Sequence, residues 1–327
     1  MALGKSIRGI CLHNLSYLED RLAEEGLSLE YGLGLALENE RAIARCFPEL
    51  LEEIRGVAEG AKLPYERVLL ETAFPFAAGS SSNCTVVSVS GVAAGEETSL
   101  VGRNYDFLSD FKRCNQIRIV TKDSERLPFV AGTITILGIE EGMNSSGLFV
   151  GDAGWEPKEL SPCRGLSSRQ IMELVLENCA SVDEAIDFLR GVPKYANNAG
   201  TCYLLADRRD AVVMEMGPSG SCFREPCEGA LVASDVFLTH VAEEMRPPEP
   251  KAFVRHACIR QRLAECAENV DEVFLRRLLS DHAIPLCMHD EVSTLRSVVA
   301  KLNYGRMLVA DGHPCTSEFE EVRVPMG

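Results

Sequence analysis

Cys84 is the residue of this chain with the clearest potential for covalent chemistry. It begins a β-branched run at residues 84–90 and follows the Gly/Ser-rich segment 79–83. Residues 72–95 contain no Asp, Glu, Lys or Arg, although a quarter of the chain is charged. A thiol at the start of a buried strand, after a loop that can be cut, indicates a nucleophile made by self-cleavage. By itself, however, a buried cysteine is more often an inert hydrophobic residue.

A second group with ligand chemistry is His282, Cys287 and His289. Their spacing, His-x₄-Cys-x-His, is not a standard zinc pattern, and a metal would need a fourth ligand such as His313 or Cys315. An uncleaved cysteine hydrolase that pairs Cys84 with His282 is a further alternative, although the usual sequence around such a cysteine is absent.

The composition excludes several classes of function. The 327 residues carry a net charge of −16, which opposes nucleic-acid binding, and the basic segment 255–262 does not form one continuous helical face. No run of about 18 apolar residues is present to span a membrane, and the first residues lack the apolar core of a signal peptide. The thirteen cysteines include no Cys-x-x-Cys pair and do not suggest a disulfide framework. We therefore predict a cytoplasmic protein.

The elements that would position these residues can be predicted from periodicity and turn signals. Helices are expected within residues 14–71, at 166–177, 181–190, 251–267 and 271–280, and strands at 84–92, 99–104, 115–121, 128–137, 147–151, 201–206, 211–216, 229–233, 294–300 and 306–310. This order predicts stacked layers, with antiparallel sheets inside and helices outside.

Four segments together resemble one family. They are Asn83-Cys84-Thr85, residues 102–107 (Gly-Arg-Asn-Tyr-Asp-Phe), residues 142–148 (Gly-Met-Asn-Ser-Ser-Gly-Leu) and residues 279–289. Their order and spacing are similar to those of the acyl-coenzyme A:6-aminopenicillanic acid acyltransferases, which are N-terminal-nucleophile enzymes. Bile-salt hydrolase, penicillin V acylase and acid ceramidase are more distant relatives of that group. The resemblance extends over nearly the whole chain.

The resemblance implies an α+β fold of four layers, αββα, with two stacked antiparallel sheets. It also implies a precursor that cuts itself between Asn83 and Cys84. Residues 1–83 would then be a helical fragment and residues 84–327 the catalytic fragment, and the two would remain associated as one structural domain. The same resemblance implies a structural loop without metal around His282 and Cys287, and no cofactor.

The resemblance also implies roles for individual residues. Arg103 would favour the thiolate of Cys84, and Asp106 would orient the new α-amine, which acts as the base for its own thiol. Asn144 matches the Asn of the family's Gly-Met-Asn turn, and Arg255 matches an Arg near the substrate pocket. We further expect Tyr105 to contact the substrate.

Structural alternatives remain for three of these residues. Arg103 and Asp106, three residues apart, would also fit a surface ion pair worth about 0–1 kcal/mol. Asn144, with a glycine on either side of it at positions 142 and 147, would also fit a simple turn.

The chain departs from the family at Ser234-Asp235, where a Thr-Asn pair supplies the side-chain amide of the oxyanion hole. Ser234 could donate a hydrogen bond, whereas an ionised Asp235 would repel the oxyanion. Backbone N–H groups, or Asn197 or Asn198, are the other candidate donors.

The predicted function is that of an N-terminal-cysteine amidohydrolase or acyltransferase. It would move an acyl group from a small-molecule amide or an acyl-coenzyme A thioester to Cys84, and then to water or an amine. Its expected partners are that substrate and its own cleaved fragment, and assembly into a homo-oligomer is left open. The alternatives are a small-molecule-binding protein of the same fold that has lost catalysis, and the uncleaved hydrolase that uses His282.

Overall fold

The fold is described from a computed structural model of the chain. It describes residues 7–24, 26–73, 84–90, 99–121, 126–155, 166–191, 200–218, 220–227, 229–245, 247–248, 250–266 and 270–325. Within this part of the chain, the search for a helix both long and apolar enough to cross a bilayer found none.

Four helices form the N-terminal part: α1 (Arg8–Glu24), α2 (Leu29–Cys46), α3 (Pro48–Ala61) and α4 (Tyr65–Ala73). Ser28 caps α2 by accepting a hydrogen bond from the Tyr31 N–H, and Pro48 occupies the first turn of α3, where its missing N–H costs nothing. Lys62 ends α3 with a φ of 54°, in the left-handed conformation. Ile43 and Ile54 are fully buried and help to pack these helices against one another.

Thirteen strands lie within the described residues. They are β1 (Thr85–Val89), β2 (Leu100–Leu108), β3 (Gln116–Val120), β4 (Phe129–Thr133), β5 (Glu141–Asn144), β6 (Phe149–Trp155), β7 (Gly200–Ala206), β8 (Ala211–Met216), β9 (Ser221–Arg224), β10 (Ala230–Ser234), β11 (Val292–Lys301), β12 (Arg306–Asp311) and β13 (Phe319–Arg323). The first sheet has the order β10-β1-β2-β11-β12-β13, and the second runs β3-β4-β5-β6-β7-β8-β9. All neighbouring strands are antiparallel.

The two sheets pack face to face around an apolar core. Val86 of β1 and Val298 of β11 meet Met143 of β5 and Leu204 of β7 in this core, and all four are buried. Because successive side chains of a strand point to opposite faces, Val87 and Val89 face outward instead.

Four further helices cover the outer faces: α5 (Ser168–Asn178), α6 (Val182–Gly191), α7 (Pro250–Glu265) and α8 (Glu272–Leu279). Helices α7 and α8 cover the first sheet, and α5 and α6 contact the second. Ser167 and Gln170 form a capping box at the start of α5. The α+β arrangement of two antiparallel sheets between helices confirms the predicted fold class.

Three strands were not predicted, and one prediction was too long. The expected strand 128–137 ends at Thr133 in β4, and β5 (Glu141–Asn144) overlaps residues 142–147, for which a turn was one of the alternatives. Strand β5 was missed because it is short and contains Gly142, which weakens the strand signal. Strand β13 was missed because it lies at the sheet edge, where three of its five side chains are exposed and charged.

Candidate functional site

Cys84 lies immediately before β1 (Thr85–Val89) and belongs to a hydrophobic cluster of buried residues that includes Tyr105 of β2. The thiol is buried and donates a hydrogen bond to the backbone oxygen of Asp106, with Sγ 3.7 Å from that oxygen. Burial raises the pKa of Cys84 to about 12, and the positive charge of Arg103 opposes this shift. In the uncut chain the thiol is therefore protonated at neutral pH.

Arg103 of β2 points into the space between the sheets and is completely buried. Its Nε lies 3.0 Å from Glu141 Oε2, and its terminal nitrogens contact the carboxylate and backbone oxygen of Asp152 on β6. It is therefore not the surface ion pair with Asp106 that the sequence also allowed. Burial would raise the pKa of Glu141, but Arg296 and Arg103 together hold it below its usual value.

Arg296 of β11 completes this buried charge cluster. Its Nη2 lies 3.1 Å from Glu141 Oε2, and its Nε also donates to the same carboxylate. A β-carbon added at Gly132 would overlap the Glu141 and Arg296 side chains, and one at Gly151 would lie 2.8 Å from Arg103 Nη1. Glycine is required at both positions because charged side chains cross the neighbouring backbone there.

Tyr105 is on the same face of β2, between the two arginines. Its ring centroid lies 5.5 Å from the Arg103 guanidinium carbon and 5.2 Å from that of Arg296. The ring is buried, so in the uncut chain Tyr105 packs within the charge cluster; its expected contact with substrate stays a prediction.

Asp106 is also fully buried, and it accepts a hydrogen bond from the Thr294 hydroxyl of β11. Burial raises the pKa of Asp106 to about 7, whereas the Thr294 hydrogen bond and the charges of Arg255 and Arg103 act in the opposite direction. A carboxyl group that titrates near neutral pH beside a thiol is a typical feature of a reactive site.

The strand register distinguishes Ser234 from Asp235. Thr85 pairs with Ser234 at the end of the β1–β10 ladder, and Asp235 follows outside the paired residues. Ser234 faces the outer helix layer, where its Oγ lies 2.9 Å from His256 Nδ1. Asp235 also contacts α7, through Arg255, so both side chains meet the outer helix layer.

Asp235 is paired with Arg255 of α7, and both side chains are almost completely buried, with 2% and 3% exposed. Burial raises the pKa of Asp235, and Arg255 opposes this shift. Arg255 therefore contacts Asp235. The position near the substrate pocket that the resemblance implies for Arg255 stays a prediction.

Asn144 is not brought to the thiol. Its Nδ2 donates to the backbone oxygens of Leu176 and Cys179, and its Oδ1 accepts from the N–H groups of Ser146 and Leu148. These bonds tie the end of β5 to α5, on the outer face of the second sheet, so the arrangement favours a structural role. Asn83, Asn197 and Asn198 lie outside the described residues.

Sequence reasoning missed Glu141, Asp152, Arg296 and Thr294. A usable signal was present at Arg296, which is a lone charge within the otherwise uncharged run 292–300 of β11. A charge that interrupts such a run requires a buried partner.

A cavity of 370 Å³ is lined by Val89, Ala230 and residues of α7, and it lies at the far end of β1 from Cys84.

The second predicted group also converges. His282, Cys287, His289 and Cys315 bring their ligand atoms within 4.8 Å of one another. His282 Nε2 lies 3.2 Å from His289 Nε2, and within the described part of the chain no hydrogen bond joins His282 to Cys84.

Comparisons with known proteins agree with this architecture. The N-acylethanolamine-hydrolyzing acid amidase ortholog of Caenorhabditis elegans superposes with a TM-score of 0.52 and 15% identity, over 74% of this chain and 100% of that one. Penicillin V acylase from Agrobacterium tumefaciens gives 0.51 and 15%, over 73% and 86%. At this identity the similarity shows the fold, which is that of the N-terminal-nucleophile hydrolases.

Comparison with curated protein sequences gave no match. The sequence profile of a family does match residues 93–309, about two thirds of the chain. That range includes Arg103, Asp106, Glu141, Asp235 and Arg255, and it begins after Cys84. By this match, the chain belongs to the acyl-coenzyme A:6-aminopenicillanic acid acyl-transferase family.

Proposed function

We propose that this protein is an acyl-transfer enzyme that cuts its own chain before Cys84 and then uses Cys84 as an N-terminal nucleophile. Family membership supports an amide-cleaving or acyl-transferring enzyme. The observation that carries the finer proposal is the Cys84 thiol at the start of β1, close enough to the buried Arg103 and Asp106 for their charges to affect its ionisation.

Self-cleavage begins when Cys84 Sγ attacks the carbonyl carbon of Asn83. The new C–S bond replaces the peptide C–N bond, the thiol proton passes to the leaving nitrogen, and water then hydrolyses the thioester to free the Asn83 carboxylate. The protonated state of Cys84 makes this attack slow without help. The charge of Arg103 supplies part of that help, because it favours the thiolate.

After scission the chemistry of residue 84 changes. Its new α-amine has an ordinary pKa of about 7.7–8.0, so it accepts the thiol proton near neutral pH. Asp106 and Asp152 are the acids whose charges act on residue 84, and these negative charges favour the ammonium form of the amine. The resulting pair is a thiolate facing Arg103 and an ammonium facing carboxylates.

The thiolate attacks the carbonyl of a small amide or of an acyl-coenzyme A thioester. The acyl group then passes from Cys84 to water or to an amine. Because Arg255 holds the Asp235 carboxylate, we assign stabilisation of the tetrahedral oxyanion to backbone N–H groups near Cys84. One such donor contributes about 2.7–4 kcal/mol.

Asp235 also motivates a second candidate, a small-molecule-binding protein of the same fold that has lost turnover. An ionised carboxylate in place of the family's oxyanion-hole amide would oppose a developing oxyanion. This candidate predicts ligand binding without an acyl-enzyme, whereas the leading proposal predicts a thioester on Cys84 after mixing with a reactive acyl donor.

The decisive experiment is mass spectrometry of purified protein and of two variants. Wild type should give two fragments that meet at residues 83 and 84, and Cys84→Ala should remain one chain of 35.8 kDa without acyl transfer. Cys258→Ala, a half-buried cysteine on α7, serves as the matched control and should cleave normally. Acyl transfer by Cys84→Ala, or wild type that is active but intact, would refute the proposal.

A substrate panel then separates transferase from hydrolase. N-acyl amino acids, penicillins, lipid amides and acyl-coenzyme A thioesters would be tested with and without an amine acceptor. Transfer predicts an acylated amine as product, and hydrolysis predicts the free acid at the same rate whether or not the acceptor is present.

A further inference from the structure

Two loops bring four metal-ligating side chains together at one end of the first sheet. His282, Cys287 and His289 lie between α8 and β11, and Cys315 lies between β12 and β13. Cys287 Sγ is 3.6 Å from Cys315 Sγ, and His289 Nε2 is 3.3 Å and 3.4 Å from the two sulphurs.

Four of the six separations between these ligand atoms match the edges of a tetrahedron of zinc ligands, and the other two, from His282 to the sulphurs, are at most 4.8 Å. With Zn–S of about 2.3 Å and Zn–N of about 2.0–2.1 Å, the edges are about 3.8 Å between sulphurs, about 3.5 Å from sulphur to nitrogen and about 3.3 Å between nitrogens. The observed nitrogen–nitrogen separation, between His282 Nε2 and His289 Nε2, is 3.2 Å. All four measured separations therefore lie within about 0.2 Å of the expected edges.

The backbone around the ligands is held by its own hydrogen bonds. Asp281 accepts from the N–H groups of Ala283 and Ile284 through its side chain, and its backbone oxygen accepts from Cys287 N–H. His289 pairs with Ser293 in an isolated β-bridge. The ligands thus come from ordered turns, which preserves their arrangement.

His313 supports the cluster without being a ligand. Its ring stacks on that of His289, with centroids 3.9 Å apart, and its Nε2 lies 2.8 Å from Ser293 Oγ. A neighbour that stacks on a ligating ring fixes the orientation of that ring.

We propose that His282, Cys287, His289 and Cys315 bind one Zn²⁺ ion in a closed structural site. Two thiolates and two imidazoles in a tetrahedron are a ligand set typical of structural zinc, and they leave no open position for substrate. This replaces the metal-free loop that the family resemblance implied. The sequence pattern was incomplete because Cys315 is supplied from a separate loop.

The zinc would join the loop that carries Cys315 to the loop that precedes β11. Met288, between two of the ligands, donates its N–H to Thr294 Oγ1, and that hydroxyl donates to Asp106. The metal therefore fixes a chain of hydrogen bonds that ends at the carboxyl group beside Cys84. This positioning effect rests on the proposed function, whereas zinc binding does not.

The test is the zinc content of the full-length protein, measured by inductively coupled plasma mass spectrometry after purification with added zinc and gel filtration. Wild type should retain about one zinc per chain, and Cys315→Ser and His282→Ala should retain less than about a tenth of that. Cys227→Ser and His240→Ala remove an exposed cysteine and an exposed histidine outside the cluster, and they should bind as wild type does. His313→Ala should also keep the metal.

Two outcomes would overturn the proposal. One is a wild-type protein that folds but binds no zinc above the level of Cys315→Ser. The other is a Cys287–Cys315 disulfide, detected by peptide mapping of protein alkylated without reduction. Substitution with Co²⁺ gives a readout independent of activity, since wild type should show the absorption of a tetrahedral cobalt–thiolate centre and Cys315→Ser should not.

Discussion

Replacing Asp235 by Asn tests whether Asp235 is a buried partner of Arg255. The substitution keeps the shape of the side chain and removes its charge. Asp235 and Arg255 are 2% and 3% exposed, so the change leaves an arginine charge buried without its main partner. Removing one partner of such a pair costs about 3–5 kcal/mol of folding free energy.

We expect the lower end of that range, about 3 kcal/mol, because the Asp106 carboxyl group interacts with Arg255 and offsets part of the unpaired charge.

The stability cost of Asp235→Asn should decrease as the pH rises. The pKa of Asp106 is about 7 in the folded protein and about 3.9 in the unfolded chain, so the protonated carboxyl group stabilises the folded protein. This contribution is complete below about pH 3.9 and is lost as the pH rises through about 7. Removing the Asp235 charge lowers the pKa of Asp106. The variant therefore loses less stability than the parent as pH rises, and the measured cost of Asp235→Asn should be smaller at about pH 8 than at about pH 5.

Urea unfolding measures this cost most simply in a Cys84→Ala background, where the protein remains one chain. Asp187→Asn is the matched control, because Asp187 and Arg190 form an exposed pair worth about 0–1 kcal/mol. Adding Arg255→Leu to Asp235→Asn should restore stability, since no charge then stays buried alone. A cost below about 1 kcal/mol for Asp235→Asn would refute the buried pair.

Two further substitutions test the surroundings of the site. Burial lowers the pKa of His256 to about 4, so unfolding takes up a proton below about pH 6.5 and the protein loses up to about 3 kcal/mol as pH falls to about 4. In urea titrations, His256→Gln should lack this part of the stability loss at low pH. If its unfolding free energy depended on pH as that of the parent does, the buried neutral state of His256 would be contradicted. Asn144→Ala should lower the unfolding free energy by about 2–4 kcal/mol without abolishing self-cleavage, because it leaves two buried carbonyls without their donor. Fragment analysis would contradict this interpretation if the variant were stable but uncut.

Much of the fold could be predicted from local signals. The periodic apolar residues within 14–71 predicted helices, and β-branched runs predicted β1, β7, β8 and β11. The strands that were missed, such as β5 and β13, have weak local signals, because they are short and are stabilised by the strands beside them.

The residues of the candidate site also differ in whether the sequence could identify them. Cys84, Arg103 and Asp106 could be selected from their order in the chain and from a family resemblance. Glu141 and Arg296 could not, because their meeting depends on how two separate sheets stack.

Cys84, Arg103 and Asp106 could be recognised from the amino-acid sequence, because their order and spacing are similar to those of one family. The tertiary structure alone places Ser234 against His256 and Asp235 against Arg255, because both contacts depend on how α7 packs on the first sheet. It also decided that Cys315 completes the His282 cluster. That contact joins residues 33 positions apart, and spacing along the chain does not encode such a distance.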